Sequence, residues 1–381
     1  MTIESRGQRQ TNNNSLITVD VTKSYSTIKE LILQDFMDVE YVALETNNEF
    51  VNQGVVMDVG KKIILVKNKI NDGNIFVYNR SGKALRRINH KGQLTGKEYT
   101  NILGIVLDED NNEMYVNDHF IRKIQVYDLY GKFKRSLNHK ESSENPYYIS
   151  VFNYDKDKLI CYYQDNKNNR AFVLISKKDG SITHETIIPF KEKIPLTLRT
   201  NNGTQYISTS PDFYKTMIPF KGTWTLLELS SDTVYTFLPD YNLRPFLART
   251  PPINAMNPRV SLTLNLFSDR YYFMETIKWS FDWNTGTGFP KTPFMYDKQE
   301  KVFFRYSVYN GDYSTKKEIY MNWLRPVNHE IESWQPIEAY QLVNSYKKGE
   351  LKDGKLKEIA AKLDAEDNPV IMLIKHKKTK N

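Results

Sequence analysis

The sequence predicts an all-β fold built from repeated four-stranded units, and three observations support this prediction. First, Gly82, Gly131 and Gly180 are separated by 49 residues twice over. Second, each glycine follows a β-rich run and a few polar residues, and a further run follows it, which is the chemistry of a hairpin turn. Third, another pair of short β-like runs precedes the hairpin. Four short antiparallel strands per period of about 49 residues are the signature of a β-propeller blade.

The repeat is clearest in the first half of the chain. Ile75–Lys83 and Ile124–Lys132 both pass from an apolar β-like run through a polar turn to Gly-Lys, and Val173–Ser181 is a weaker third copy. In the second copy, the preceding pair of strands is Gly104–Leu107 and Glu113–Val116. The polar residues between these two runs imitate the start of a calcium loop, but a hairpin turn explains them better because the glycine and the final carboxylate of that loop are missing.

Later copies are degenerate but can still be followed. One copy consists of the β-like runs Trp224–Leu229 and Thr233–Phe237, joined by a polar turn. Another consists of Phe294–Asp297 and Lys301–Arg305, joined in the same way. Six units of about 49 residues that begin near Glu40 reach the region of residue 334. The sequence therefore predicts a six-bladed β-propeller of four-stranded antiparallel blades.

The C-terminal region predicts a helical segment at about 336–366 and a closing strand at about 370–376. Leu356, Ile359, Ala360 and Leu363 follow the i, i+3, i+4, i+7 spacing of a helix face. We expect the closing strand to pair with Glu40–Leu44, since such pairing joins the two ends of the ring and removes open sheet edges. Residues 17–381 would then form a single domain behind a polar, disordered lead-in of residues 1–16.

Composition excludes several classes of protein. The net charge is +8, but residues 347–381 hold ten lysines against six acidic residues and so carry half of it. The lysines alternate with acids rather than forming a basic stripe, so nucleic acid is not the expected partner. There is no long apolar run for a transmembrane helix. The single cysteine, Cys161, lies in a short apolar run and is expected to be a buried, inert residue.

Several segments resemble one known group of propellers. Tyr115–Asp128 resembles an NHL repeat, and Ile88–Tyr99 is similar to the glycine-rich loop between blades of bacterial six-bladed NHL-like propellers. Val39–Thr46 resembles the YIPLET opening of that family, and Glu366–Val370 is similar to its end. The resemblance extends over essentially the whole chain after residue 17.

This resemblance implies a protein of a bacterial family that is largely of unknown function and commonly exported. It implies an extracytoplasmic location, in the periplasm or at the cell surface. It also implies a lipid anchor behind a signal peptide that this chain lacks. If Met1 is the true start, a cytoplasmic location is expected instead. A monomer is expected.

No local motif for catalysis, a metal or a cofactor occurs. We predict no cofactor and no metal, and a non-catalytic role is favoured over a catalytic one, which stays open. A ligand site would instead be assembled from several blades at the central channel. Asp118, His119 and Arg122 lie in a loop between strands of the second blade and are candidates for such a site. The alternative is that Asp118 pairs structurally with Lys123 and that His119 is solvated.

Aromatic residues supply a second candidate. Trp279, Phe281 and Trp283 alternate along one predicted strand, so that one of its faces would be aromatic. The tryptophans would either pack between blades or form a stacking platform for a sugar or peptide. Trp279 and Trp283 are accordingly candidate ligand-binding residues.

Three functional hypotheses follow. The leading one is a non-catalytic binding propeller that presents loops to a protein, peptide or glycan. The second is a propeller hydrolase or lyase with a site in the central channel. The third is an RNA-binding propeller of the NHL type, which the mixed surface charge disfavours.

Overall fold

The computed structural model describes residues 16–92, 96–139, 147–163, 170–195, 197–201, 203, 205–211 and 214–377. All but one residue of the predicted lead-in lie outside this part of the chain. Within it, six sheets form the blades of a ring around a central channel, with two further two-stranded hairpins. The structure confirms the six-bladed β-propeller.

The N-terminal segment contributes strands to three different blades before the first complete blade begins. Its elements are β1 (Ile17–Asp20), β2 (Ile28–Ile32), the one-turn helix α1 (Leu33–Phe36) and β3 (Met37–Ala43).

Blades 1 to 3 are regular, and each contains four consecutive antiparallel strands. Blade 1 contains β4 (Val55–Val59), β5 (Ile63–Lys67), β6 (Ile75–Asn79) and β7 (Ala84–Ile88). Blade 2 contains β8 (Ile102–Asp108), β9 (Glu113–Asp118), β10 (Lys123–Asp128) and β11 (Phe133–Asn138). Blade 3 contains β12 (Tyr148–Asn153), β13 (Lys158–Tyr163), β14 (Arg170–Ser176) and β15 (Ile182–Ile187).

Blades 4 and 5 interrupt this pattern with extra hairpins. The hairpin β16 (Leu198–Asn201) and β17 (Tyr206–Thr209) precedes blade 4, which contains β18 (Met217–Phe220), β19 (Thr223–Leu226), β20 (Thr233–Phe237) and β21 (Leu243–Thr250). Blade 5 contains β22 (Val260–Phe267), β23 (Tyr271–Lys278), β26 (Lys291–Asp297) and β27 (Val302–Tyr309), and the small hairpin β24 (Phe281–Asp282) and β25 (Thr287–Gly288) lies between β23 and β26.

Blade 6 combines both ends of the described chain. Its regular strands are β28 (Ile331–Ile337), β29 (Val370–His376) and β3, with helices α2 (Ala339–Lys347) and α3 (Lys355–Ala360) between β28 and β29. The closing strand pairs with the segment expected from the sequence, since Met372 lies opposite Tyr41. The helices begin later than the predicted position 336, because Pro336 is still part of β28 and lies opposite Ile371.

The turns of the regular blades repeat one local solution. Gly82, Gly131 and Gly180 all have positive φ, at 86°, 92° and 78°. Just ahead of the first two, Asn79 and Asp128 each accept hydrogen bonds from two backbone amides of the turn at 2.9 Å. A side chain that bonds its own turn favours that turn over other conformations, which explains why this pattern is visible in the sequence.

Six hydrophobic clusters hold the ring together, and each lies between two adjacent blades. In β29, Met372 packs towards blade 5, whereas Ile371 and Leu373 pack towards blade 1. Successive side chains of a strand point to opposite faces of its sheet. A strand such as β29, whose sheet packs against another blade on each face, is therefore apolar at every position. Cys161 is fully buried between blades 2 and 3, and burial raises the pKa of its thiol well above the usual value.

The N-terminal strands form a belt around the outside of the ring. β1 lies parallel to β21 as a fifth strand of blade 4, and β2 lies parallel to β27 as a fifth strand of blade 5. Val19 of β1 is fully buried between blades 4 and 5. The belt therefore adds hydrophobic contacts and also covers two outer sheet edges.

Candidate ligand-binding cavity

A cavity of about 710 Å³ lies on the side of the central channel formed by blades 3, 4 and 5. Part of its wall comes from the inner strands of these three blades and from the residues just before them. It is lined by Tyr147, Ile149, Tyr162, Thr197, Ser210, Pro211, Tyr214, Lys215, Thr216, Leu229, Thr263, Leu264, Asn265, Glu275, Lys291, Asn322, Trp323 and Arg325.

Lys215 is the central charged group of this cavity. It stands two residues before β18, and its Nζ donates to Asn265 Oδ1 and to the carbonyl of Asn322, both at 3.2 Å. No carboxylate of a described residue lies within ion-pair distance of Nζ. Burial lowers the pKa of the ammonium to about 8; the nearby carboxylate of Glu275 opposes this shift, whereas Arg325 adds to it.

Two further cations line the same cavity. Lys291 is the first residue of β26, and Arg325 follows the short 3₁₀ helix Met321–Trp323. The exposed guanidinium of Arg325 makes no ion pair with any residue that the structure describes. Glu275 on β23 is the only carboxylate among the described residues of the lining. The described lining therefore holds three cations against one carboxylate, and this excess of positive charge attracts anions.

Hydroxyl and amide groups make up most of the remaining polar lining. Thr216, which directly precedes the inner strand β18, and Thr263 on the inner strand β22 are both buried, and Asn322 also lines the cavity. Behind them, the hydroxyls of Tyr162 and Tyr214 lie 3.4 Å apart. Neutral donors and acceptors of this kind hydrogen-bond to polar, hydroxylated ligands.

A crossing segment, residues 322–329, passes through the channel and bounds the cavity. Asn322 holds Lys215 of blade 4, and the carbonyl of Arg325 accepts a hydrogen bond from Ser333 of blade 6 at 2.7 Å. Asn328 donates to the carbonyl of Val59 in blade 1 at 2.8 Å. Blades 1 and 4 lie opposite each other in a ring of six, so this segment spans the channel. Residues 325–328 also run beside β28, in the place that a fourth strand of blade 6 would take.

Exposed aromatic residues surround the mouth of the cavity. Trp323 is 73% exposed although it lines the cavity, and its ring packs on that of Tyr320 at 4.9 Å. The hairpin β16–β17 rises from the rim, since Thr197 and Ser210 on either side of it line the cavity. Tyr206 on this hairpin is 78% exposed.

The predicted candidates in blade 2 lie near the cavity without lining it. Asp118 is fully buried, and its carboxylate accepts hydrogen bonds from backbone amides that include Asn101 at 2.9 Å and Phe120 at 2.8 Å. The carboxylate therefore fixes the loop. His119 is partly buried with its ring edge-on to Tyr147 at 4.3 Å, and Tyr147 lines the cavity. Arg122 is exposed, with a φ of 53°.

The predicted aromatic strand face does not form. β23 ends at Lys278, and the chain then turns into the separate hairpin β24–β25. Trp279 is buried between blades 4 and 5, where its Nε1 donates to Ser261 Oγ at 2.9 Å. Trp283 is partly exposed against Phe281. Since none of the five predicted residues lines the cavity, a ligand-binding role for them stays a prediction.

The groups that do line the cavity were missed because they are far apart in the sequence. Lys215, Glu275 and Arg325 come from three different parts of the ring and share no motif. The one available signal was the clustering of all five tryptophans at position 224 and beyond, which includes Trp323.

Fold and cavity together define a class: a six-bladed β-propeller with a positively charged cavity beside its axis. The chain belongs to a family described as "Domain of unknown function (DUF4934)", whose model matches residues 16–375. No curated protein matches it.

Solved structures resemble this chain at low sequence identity. A Bacteroides fragilis protein whose description proposes that it is exported is 15% identical, with a TM-score of 0.55 over 96% of this chain and 100% of that one. A Bacteroides vulgatus member of the DUF4221 family is 10% identical, with a TM-score of 0.47 over 90% and 100% of the two chains. Virginiamycin B lyase from Staphylococcus aureus is 10% identical, with a TM-score of 0.34 over 73% and 94%.

The described residues contain no helix that is both long and apolar enough to span a membrane. Nor do they bring together three or more His, Cys, Asp or Glu side chains in a group suited to a metal ion.

Proposed function

We propose that this protein is a non-catalytic binding propeller that holds an anionic ligand in the cavity beside its axis. The observation that supports this most is the pair of cations Lys215 and Arg325, which line the cavity without a carboxylate partner among the described residues. A partly buried ammonium without a counter-ion is costly, and burial accordingly lowers the pKa of Lys215. A bound anion would act as the counter-ion of Lys215, and the relief of this unfavourable burial would contribute to the affinity for the anion.

The size and lining of the cavity support a small ligand. A volume of about 710 Å³ lies within the range of small-molecule sites. Glycoside hydrolysis generally needs two carboxyl groups that flank the scissile bond, and Glu275 is the only carboxylate that the described part of the lining contains. Binding therefore has better support than the hydrolase alternative.

We also propose that the protein acts outside the cytoplasm. The resemblance to bacterial exported propellers supports this location, and so does the shared fold with the B. fragilis protein. Localisation of a tagged, full-length gene product by cell fractionation tests it, and recovery in the cytoplasmic fraction alone would overturn it.

Calorimetric titration with citrate and glucuronate, and with uncharged glucose for comparison, tests the proposed ligand class. We expect both anions to bind at low ionic strength and glucose to bind far more weakly. Lys215→Met should weaken anion binding at least tenfold, because truncation of one partner of a buried charged contact costs about 2–5 kcal/mol.

Lys178→Met provides the matched control, since Lys178 is exposed in a turn of blade 3 and does not line the cavity. It should bind anions like the wild type. Failure of both anions to bind, or equal binding by Lys215→Met, would overturn the proposal. Turnover of an acidic oligosaccharide that Lys215→Met abolishes would instead show a catalytic site.

A further inference from the structure

We infer that the ligand is an acidic saccharide, whose sugar ring stacks on Trp323 while its carboxylate contacts Lys215 and Arg325. This inference rests on the proposed function and adds the chemical class of the ligand. It is based on the side chains that surround the cations rather than on the cations themselves.

The indole of Trp323 is exposed but firmly positioned. Met321, two residues before it, and Leu324, directly after it, are 1% and 3% exposed and belong to the core between blades 5 and 6. Tyr320 supports the ring at a centroid distance of 4.9 Å and an interplanar angle of 35°. A flat aromatic surface is thus held at the mouth of a polar cavity. Its exposure to water is unfavourable, and a ligand ring that covered it would remove this cost.

Trp323 and the cation Arg325 belong to the same short segment, which also contacts Lys215 of blade 4. Trp323 and Arg325 are two residues apart, and Asn322 beside them holds the ammonium of Lys215 through its carbonyl. A single ligand ring can therefore lie on the indole while a charged substituent reaches the cations. A uronate ring has this form, because it combines an apolar C–H face with a carboxylate on the ring.

The remaining lining distinguishes a sugar from an apolar acid. The hydroxyls of Thr216 and Thr263 hydrogen-bond to Ser150 Oγ and to the carbonyl of Glu275, and their oxygens can still accept a hydrogen bond from a hydroxyl of a saccharide. The side-chain amide of Asn322 offers a donor and an acceptor, and a fatty acid or an apolar peptide that covered it without hydrogen bonds would lose about 1–3 kcal/mol. Charge, ring face and hydroxyl partners together favour the acidic saccharide.

Titration with digalacturonate, with uncharged galactobiose and with citrate, an anion that is not a sugar, tests this inference. Digalacturonate should bind wild-type protein at least tenfold more tightly than either of the other two. Trp323→Ala should lose this advantage, because it should weaken the binding of digalacturonate far more than that of citrate, whereas Trp323→Phe should recover part of it. Quenching of tryptophan fluorescence by digalacturonate should disappear in Trp323→Ala.

Trp283→Ala is the matched control, because Trp283 is partly exposed on the separate hairpin β24–β25 and does not line the cavity. It should behave like the wild type. Wild-type affinity of Trp323→Ala for digalacturonate, or equal binding of citrate and digalacturonate, would overturn the saccharide. In either case, weakened citrate binding by Lys215→Met would leave the proposed anion site standing, so the two failures are distinguishable.

Discussion

Two lysines that lie largely out of solvent show how the two halves of the ring differ. In blade 3, Lys177 forms an ion pair with Asp108 of blade 2 at 2.5 Å, and both side chains are almost fully buried. In the other half, the contacts of Lys215 Nζ among the described residues are an amide oxygen and a backbone carbonyl. The regular half thus uses buried charge to join neighbouring blades. The irregular half, blades 4 to 6, places the charge of Lys215 beside a cavity, where a bound anion can act as its counter-ion.

The outer edges of the blades differ in the same way. β21 and β27 are each covered by a parallel strand of the N-terminal belt, whereas β7, β11 and β15 are the last strands of their sheets. Blades 4 and 5 also carry the extra hairpins. The half with the longest connections and the cavity is therefore the half that the belt supports.

The largest effect is expected when the blade 2–blade 3 ion pair is broken. Lys177→Met leaves the carboxylate of Asp108 buried without its cation, which should lower the free energy of unfolding by about 3–5 kcal/mol. Urea unfolding measures this loss. The double variant Asp108→Asn, Lys177→Met should recover most of it, and a single variant as stable as the wild type would contradict a structural role for the pair.

A smaller, pH-dependent effect is expected at the junction of blades 1 and 2. Asp58 is buried and accepts hydrogen bonds from the amides of Val59 at 2.7 Å and Leu107 at 2.8 Å. Burial raises its pKa from 3.8 to about 6, although these hydrogen bonds oppose the shift. Between pH 4 and pH 6 the folded state therefore holds a proton that the unfolded state has released, so stability falls as pH rises, by roughly 3 kcal/mol in total.

Asp58→Asn removes this ionisation and should flatten that part of the stability curve. Urea unfolding at a series of pH values from 4 to 7 measures the slope for both proteins. The variant also loses one acceptor, which shifts its curve by a constant amount and leaves the slope as the informative quantity. Parallel curves for the two proteins would show that Asp58 titrates normally.

The smallest effect on stability is expected in the irregular half. Lys215→Met removes an ammonium without a carboxylate partner, so the free energy of unfolding at pH 7 should stay within about 1 kcal/mol of the wild type. Because the pKa is lowered to about 8, the wild type should gain stability relative to the variant between pH 8 and pH 10, where the unfolded state binds more protons. If Lys215→Met greatly lowered the free energy of unfolding at pH 7, Lys215 would have a structural role like that of Lys177.

The regular half could be predicted from sequence because its structure is specified locally. Each turn contains the glycine that its positive φ requires, as at Gly82 and Gly131, and the polar residue that caps it lies three residues earlier. The closing strand was also predictable, since Val370–Ile374 is apolar at every position, as a strand packed on both faces must be.

The irregular half depends on contacts that leave no local pattern. The pairing of β1 with β21 joins Val19 to Arg249 across most of the chain, and no spacing in the sequence reports it. The same holds for Lys215 and Asn322, whose contact forms only when the crossing segment enters the channel. The aromatic alternation after Lys278 was misleading, because the turn that ends β23 separates residues that appeared to share a face.

The position of β29 determines when the molecule can be completed. This strand lies between β28 and β3, so the register that places Tyr41 opposite Met372 joins an early part of the chain to one of its last. During synthesis, β3 leaves the ribosome long before β29 has been made. β3 therefore stays without its partner strand while the residues of blades 1 to 5 are synthesised. Contacts this distant in sequence form slowly, since a long loop must close before they form. The ring of a nascent chain is thus not closed until β29 has been synthesised and pairs with β3.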